Sequence, residues 1–306
     1  MSHSPDDHEP VLDGLNTDGL DSDRRQRMIV VRVPAALADV VSDRFWQLGV
    51  RGVSEIDMPG DDVEVVSSVG NDLDAIDRAI ATFDPKWAWR IDEVPTAAGQ
   101  QWRQHVRPVR YRPDMVIVPA WMADHPDIRD GDHVTLVEPG SAFGLGDHPT
   151  TTGSMGCLSD LLSGATRPPG RSVGSVLDAG CGTGVLAVRA AQHGVPRVRA
   201  IDVADAAVSA TRENAALNGV GACIEVDTTP LAQIDESFDV VIANILAPVL
   251  VSLASDLVRV VAPSGTLVIS GILADRHQHV LDALAPMVQR TSTTIDGWTT
   301  VVLERP

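Results

Sequence analysis

Cysteine is scarce in this chain. Cys157, Cys181 and Cys223 form no paired spacing and no metal-ligand signature, so neither a disulfide framework nor a metal site is expected. Basic residues are short too: 24 Lys and Arg stand against 42 Asp and Glu, a formal net charge of -18. Nucleic-acid affinity is carried largely by Lys and Arg, so no direct nucleic-acid binding is expected, and a basic partner is favoured. No apolar run approaches the length of a membrane span, and the N-terminus is acidic and polar rather than signal-like. These absences point to no membrane contact and to a cytoplasmic location.

The 306 residues have ample apolar content, 44%, for a folded core. The first 23 residues carry Asp6, Asp7, Glu9, Asp13, Asp18, Asp21 and Asp23 and no Lys or Arg, so residues 1–26 read as an acidic, disordered tail. Ordered structure is expected from about Met28. Strand-like runs at Met28–Val33, Val53–Ile56, Val63–Val66 and Trp87–Ile91 alternate with helical spacing over Ala35–Leu48 and Leu73–Phe83, the latter with Asn71 or Asp72 as cap. The order βαββαβ predicts a small α+β ferredoxin-like domain over residues 27–94, without a glycine loop or catalytic set, and reads as a recognition domain. A connector follows over 95–133, with a helical stretch anchored by Trp102 and a strand at Met115–Val118. From residue 134 to 306, strands at Val134–Val137, Val176–Leu177, Val198–Ile201, Cys223–Val226, Val240–Ala243, Leu267–Ile269 and a last pair including Thr299–Leu303 alternate with helices. That is the signature of an α/β domain with a mostly parallel, twisted sheet, whose ligands bind beyond the carboxyl ends of the strands.

One of those ends is the stretch Val176-Leu-Asp-Ala-Gly-Cys-Gly-Thr-Gly184: a buried strand, then an acid, then a turn with Gly180, Gly182 and Gly184 that opens onto a helix. The next strand ends in Asp202, an acid placed to accept hydrogen bonds from two ribose hydroxyls. A dinucleotide fingerprint needs G-x-G-x-x-G so that a helix N-terminus faces a pyrophosphate. Here the spacing is G-x-G-x-G, and Asp178 would repel a pyrophosphate but attract the amino group of a methionine moiety. The pattern fits S-adenosylmethionine better than a nicotinamide dinucleotide.

Asn244 closes another strand and begins Asn244-Ile-Leu-Ala-Pro248. Its amide oxygen can accept a hydrogen bond from a substrate amine and aim the nitrogen lone pair for in-line displacement. An Asn at this junction can equally cap the following helix.

With these residues in view, the chain resembles the bacterial PrmA family, the methyltransferases of ribosomal protein L-eleven. The resemblance is carried by Gln101-Trp-Arg-Gln-His-Val-Arg-Pro-Val109 with Met115–Trp121, by Glu138-Pro-Gly-Ser-Ala-Phe-Gly-Leu-Gly-Asp-His-Pro-Thr-Thr151, by the glycine turn, and by Asn244-Ile-Leu-Ala247 with Ser270-Gly-Ile-Leu273. It implies a Rossmann-like class I methyltransferase domain and an N-terminal substrate-recognition domain. It also implies methyl transfer from S-adenosylmethionine to lysine side-chain or N-terminal amines of that basic ribosomal protein, by a monomer. Thr151, Gly180, Asp202 and Asn244 match the family's cofactor-contacting positions, Gly182 completes the turn, and Asn244 would also meet the amine. The family loop usually has Thr where Leu145 stands, which bears on the acceptor rather than the cofactor. Asp147 reads either as an attractor for an incoming ammonium or as an exposed loop acid, and His148 as a catalytic group or a loop residue bonded to backbone. The competing reading keeps the cofactor and changes the acceptor to another protein lysine or a small-molecule amine.

Overall fold

The computed structural model of the chain describes residues 25–48, 50, 53–95, 106–138, 146–165 and 172–306. Residues 1–24 of the expected tail, the stretch expected to be helical at Trp102, and Leu145 lie outside these residues, whereas Arg25 and Gln26 belong to a strand.

Three sheets organise the described residues. The first joins β1 (Arg25–Pro34), β2 (Val53–Asp57), β3 (Asp62–Ser67) and β4 (Ala88–Pro95) in the order β2-β3-β1-β4, all antiparallel. With α1 (Ala38–Gln47) and α2 (Leu73–Ile80) the chain order is βαββαβ, as expected. Ile29, Val31 and Val33 alternate along β1 and pack with Val41, Phe45 and Ile76 of the helices. Asp72 caps α2, accepting from Ala75 N at 2.8 Å; Asn71 instead accepts from Arg27 N, also at 2.8 Å. The first strand starts at Arg25, before Met28, because Arg25–Met28 pair with Asp92–Pro95.

A second sheet, β5 (Val109–Arg112), β6 (Met115–Pro119) and β7 (His133–Val137), has the order β5-β6-β7, with β7 parallel to β6. Residue 134 therefore falls inside a sheet shared with the connector, not between two units. β5 alternates Val109 and Tyr111, which pack against the core, with Arg110 and Arg112, which pair with Asp132 and Asp160, and all four residues are half-buried.

The third sheet has the order β10-β9-β8-β11-β12-β14-β13. Its strands are β8 (Ser175–Ala179), β9 (Arg197–Ile201), β10 (Ile224–Asp227), β11 (Phe238–Asn244), β12 (Val261–Leu273), β13 (Val288–Ile295) and β14 (Trp298–Glu304). The first five in that order are parallel, and the β13–β14 hairpin runs antiparallel. Asp296 and Gly297, both with positive φ, make its two-residue turn.

Strand alternation divides the core between two faces. Val176, Val240, Ile242 and Val268 face α3 (Pro149–Leu162), α4 (Val185–Gln192) and α5 (Asp205–Leu217). Leu177, Ala179, Val241, Ala243, Leu267 and Ile269 face α6 (Ala247–Ser252), α7 (Ala254–Val260) and α8 (Gln278–Ala283). Burying each Val, Leu or Ile side chain among them contributes roughly 1.5–3 kcal/mol. The strand order reverses between β8 and β11, which opens a crevice beyond their carboxyl ends. Among the described residues no helix is long and apolar enough to cross a membrane.

Candidate active site

The crevice is built by two backbone approaches that only glycine permits. Gly180 follows β8 with φ +78°, and a Cβ there would lie 2.4 Å from Ile245 Cγ2. Gly271, in the bulge of β12, has φ +86°, and its Cβ would lie 2.4 Å from the Ile245 carbonyl oxygen. Ile245 is thus lodged between the glycine turn and β12, and its neighbour Asn244 is held at the tip of β11 beside Ser270. Ser270 is buried and shares a 2.8 Å hydrogen bond with Thr300 Oγ1.

The turn itself is fastened on both sides. Gly180 N and Cys181 N donate to Ile201 O at 2.8 and 3.0 Å, tying it to β9. Asp202, half-buried at the tip of β9, accepts from Gly182 N and from Ala204 N, each at 3.0 Å. Each carboxylate oxygen keeps further lone-pair capacity for ligand hydroxyls. Val203, the next residue, is 95% exposed and offers an apolar surface at the same tip. Thr211 of α5 donates to Gly182 O at 3.1 Å, and a Cβ on Gly184 would strike Thr211 at 2.5 Å.

Asp178, the acid expected to attract the methionine amino group directly or through water, lies beneath the turn. By alternation it shares the α4 face with Val176, and it is fully buried. Its Oδ2 accepts from Ala187 N at 3.1 Å, while Oδ1 has no hydrogen-bond partner. Burial pushes its carboxyl up to about 7; the Ala187 amide opposes this, and the nearby Asp202 charge adds to it.

Thr151 lies in the first turn of α3. It is 1% exposed, and its Oγ1, like Ser154 Oγ one turn on, is buried without a partner. His148 caps α3, its Nδ1 accepting from Thr150 N at 3.3 Å, and its ring meets Trp298 edge-on with centroids 5.0 Å apart. Burial lowers its pKa against the raising effect of Asp147, which favours the neutral ring. This is the backbone-bonded reading of His148. Asp147 is exposed.

The helix-cap reading of Asn244 does not hold: Leu246 occupies the N-cap of α6, with no side-chain cap. Gly180, Gly182, Asp202 and Asn244 sit at the carboxyl ends of β8, β9 and β11, while Thr151 lies in the first turn of α3, which packs against β12 and β14. Thr211 and Asn214, whose amide donates to Thr183 O at 2.9 Å, support the turn and were not foreseen. Their only mark in the sequence is a pair of polar residues on the apolar face of α5. Unpartnered buried hydroxyls, an anchored carboxylate at the β9 tip and a glycine-lined turn fit S-adenosylmethionine.

Comparison with known proteins agrees with this geometry. The model of the family described as "Ribosomal protein L11 methyltransferase (PrmA)" matches residues 61–306. The chain belongs to this family. Among curated PrmA relatives, the ribosomal protein L11 methyltransferase of Geobacter metallireducens is 36% identical over 284 residues, covering 85% of this chain and 91% of its own. That of Pelobacter propionicus is 33% identical, covering 90% and 96%. The crystal structure of the ribosomal protein L11 methylase from Lactobacillus delbrueckii subsp. bulgaricus superimposes with a TM-score of 0.58 at 29% identity, over 65% of this chain and 99% of that one.

Proposed function

We propose that this PrmA-family chain transfers methyl groups from S-adenosylmethionine to lysine side-chain and N-terminal amines of ribosomal protein L11, with Asn244 as the catalytic residue. The observation that carries the reading is the seat of Asn244. It closes β11 at the strand-order reversal, one residue from Ile245, which is lodged between Gly180 and Gly271. The bound cofactor supplies an electrophilic methyl group on a sulfonium. The chain's own groups must present a neutral amine to it in line. A lysine ammonium has no lone pair, and neutralising it at pH 7 costs roughly 4–5 kcal/mol. Burial of the amine and the nearby cation both lower that cost. Among the described residues, Asp178, Cys181 and His148 are perturbed titratable groups flanking the crevice, and burial pushes the Cys181 thiol up so that it stays protonated. Asp178 is sealed beneath α4, and His148 Nδ1 is engaged by the helix it caps. Deprotonation therefore falls to solvent before docking, and the amide oxygen of Asn244 orients the amine once it has docked.

In this reading residues 27–94 recognise the protein substrate, and residues 134–306, together with the strands β5 and β6 that share a sheet with β7, carry out transfer. The charge of -18 suits a basic ribosomal protein. A monomer in the cytoplasm, without direct nucleic-acid contact, completes the proposal. The test is mass spectrometry of purified L11 after incubation with the chain and S-adenosylmethionine. Mass gains in multiples of one methyl group are expected. An unmodified L11, with methyl transfer to another amine in the same assay, would refute the assigned acceptor.

A further inference from the structure

β7 lies at one edge of its sheet, so the N–H and C=O groups along its outer side have no strand partner. Three side-chain amides take that place. Gln192 Nε2, at the end of α4, donates to Val134 O at 2.9 Å, and its Oε1 accepts from Thr135 Oγ1 at 2.8 Å. Asn218 pairs with both groups of Leu136: its Oδ1 accepts from Leu136 N at 2.9 Å and its Nδ2 donates to Leu136 O at 2.7 Å. Asn214 pairs with both groups of Glu138, at 2.7 Å from N and 3.0 Å to O. Residues 134, 136 and 138 present their backbone groups to the same edge, and asparagines one helical turn apart meet alternate residues of the strand. A helix thus completes a sheet edge with side chains.

The two asparagines differ in one respect. The remaining donor contact of Asn218 goes to Asn214 O at 2.8 Å, within its own helix. That of Asn214 goes to Thr183 O at 2.9 Å, inside the glycine turn. Asn214 is fully buried, and no water competes for these bonds. It therefore locks the end of β7, from which the chain runs on toward Thr151, to the turn that holds Gly182.

We infer that Asn214 is a positioning residue for the cofactor: it sets the spacing between the glycine turn, at Thr183, and Glu138 at the end of β7, while Asn218 and Gln192 secure only the sheet edge. This rests on S-adenosylmethionine being the cofactor of the site. The test uses two isosteric changes in the full chain, Asn214→Asp and Asn218→Asp. Each replaces an amide by a carboxylate and removes two donors that face carbonyl oxygens. Both variants should unfold at lower temperature than the parent. By calorimetry with S-adenosylmethionine, Asn214→Asp should bind roughly tenfold or more weakly, whereas Asn218→Asp should stay within about threefold of the parent. KM for the cofactor should divide the two variants in the same way. Equal affinity losses in the two variants, or none in either, would overturn the inference. Amide hydrogen exchange on the unaltered chain tests the same link without a substitution. Adding S-adenosylmethionine should slow exchange at Glu138, whose N–H is held by Asn214, and an unchanged Glu138 would count against the link. If the parent chain releases no binding heat, the cofactor assignment itself fails, and this inference with it.

Discussion

Gly271→Ala is the sharpest probe of how the acceptor side of the site is held. An alanine at φ +86° carries left-handed strain of about 1–2 kcal/mol. Its Cβ would also sit 2.4 Å from the Ile245 carbonyl oxygen, where ordinary contact begins near 3.4 Å, so about 1 Å of backbone movement is required. Overlap of this kind costs a further 1–3 kcal/mol or so. The sum, roughly 2–5 kcal/mol, corresponds to a fall in Tm of about 4–20 °C for a domain of this size. Ile245 is bonded to Asn244, so the displacement reaches the amide that orients the amine. A misplacement of about 1 Å is enough to slow an oriented reaction by about 100-fold. Asp202, at the tip of β9, is two strands away from β11 and should keep most of its affinity for the cofactor. The assay is turnover on L11 by mass spectrometry, beside calorimetry with S-adenosylmethionine, at a temperature where the variant is folded. Turnover within twofold of the parent, or a loss of turnover fully matched by a loss of cofactor affinity, would refute the reasoning.

Asn244→Ala should lower kcat strongly while leaving cofactor affinity near that of the parent; a near-normal rate would remove Asn244 from the mechanism. Asp202→Ala should act first on the cofactor, raising its Kd by roughly 10- to 100-fold through the loss of charged hydrogen bonds, with calorimetry as the check. Asp178 is held near 7 in the folded chain against 3.8 for the ordinary carboxyl, so its ionisation opposes folding. Its contribution to stability is greatest below about pH 4, declines as pH rises toward 7 and is flat above. Asp178→Asn keeps an oxygen for Ala187 N, and it should gain on the parent across that interval in urea unfolding; a pH-independent difference would show that Asp178 does not titrate there.

The glycine turn was legible because each of its signals is local. Gly180, Gly182 and Gly184 all adopt positive φ, and the apolar strand before them and the acid at the tip of the next are written in short stretches of chain. The parallel sheet was legible for the same reason, from short apolar runs at regular intervals. β5 was not, because Val109-Arg-Tyr-Arg is too short for its alternation to stand out, and its place is set by pairing with β6. Nor was the seal over Asp178, since an acid at a strand end looks alike whether it faces solvent or the underside of a helix. Asn214 and Asn218 were hidden more deeply. Their partners on β7 lie 76 and 82 residues away, and in sequence they read as ordinary polar positions of a helix.

Sequence alone therefore determined the class of cofactor, the alternation that builds the sheet, and the resemblance borne by Glu138–Thr151 and Asn244–Ala247. These depend on backbone preferences and periodicity, which act within a few residues. Tertiary structure decided that Asn244 caps no helix, that Gly271 clamps the residue beside it, and that two asparagines stand in for a missing strand. Each of these is a contact between segments distant in the chain. Such contacts follow from which faces pack together, and that choice is made only when the whole core closes.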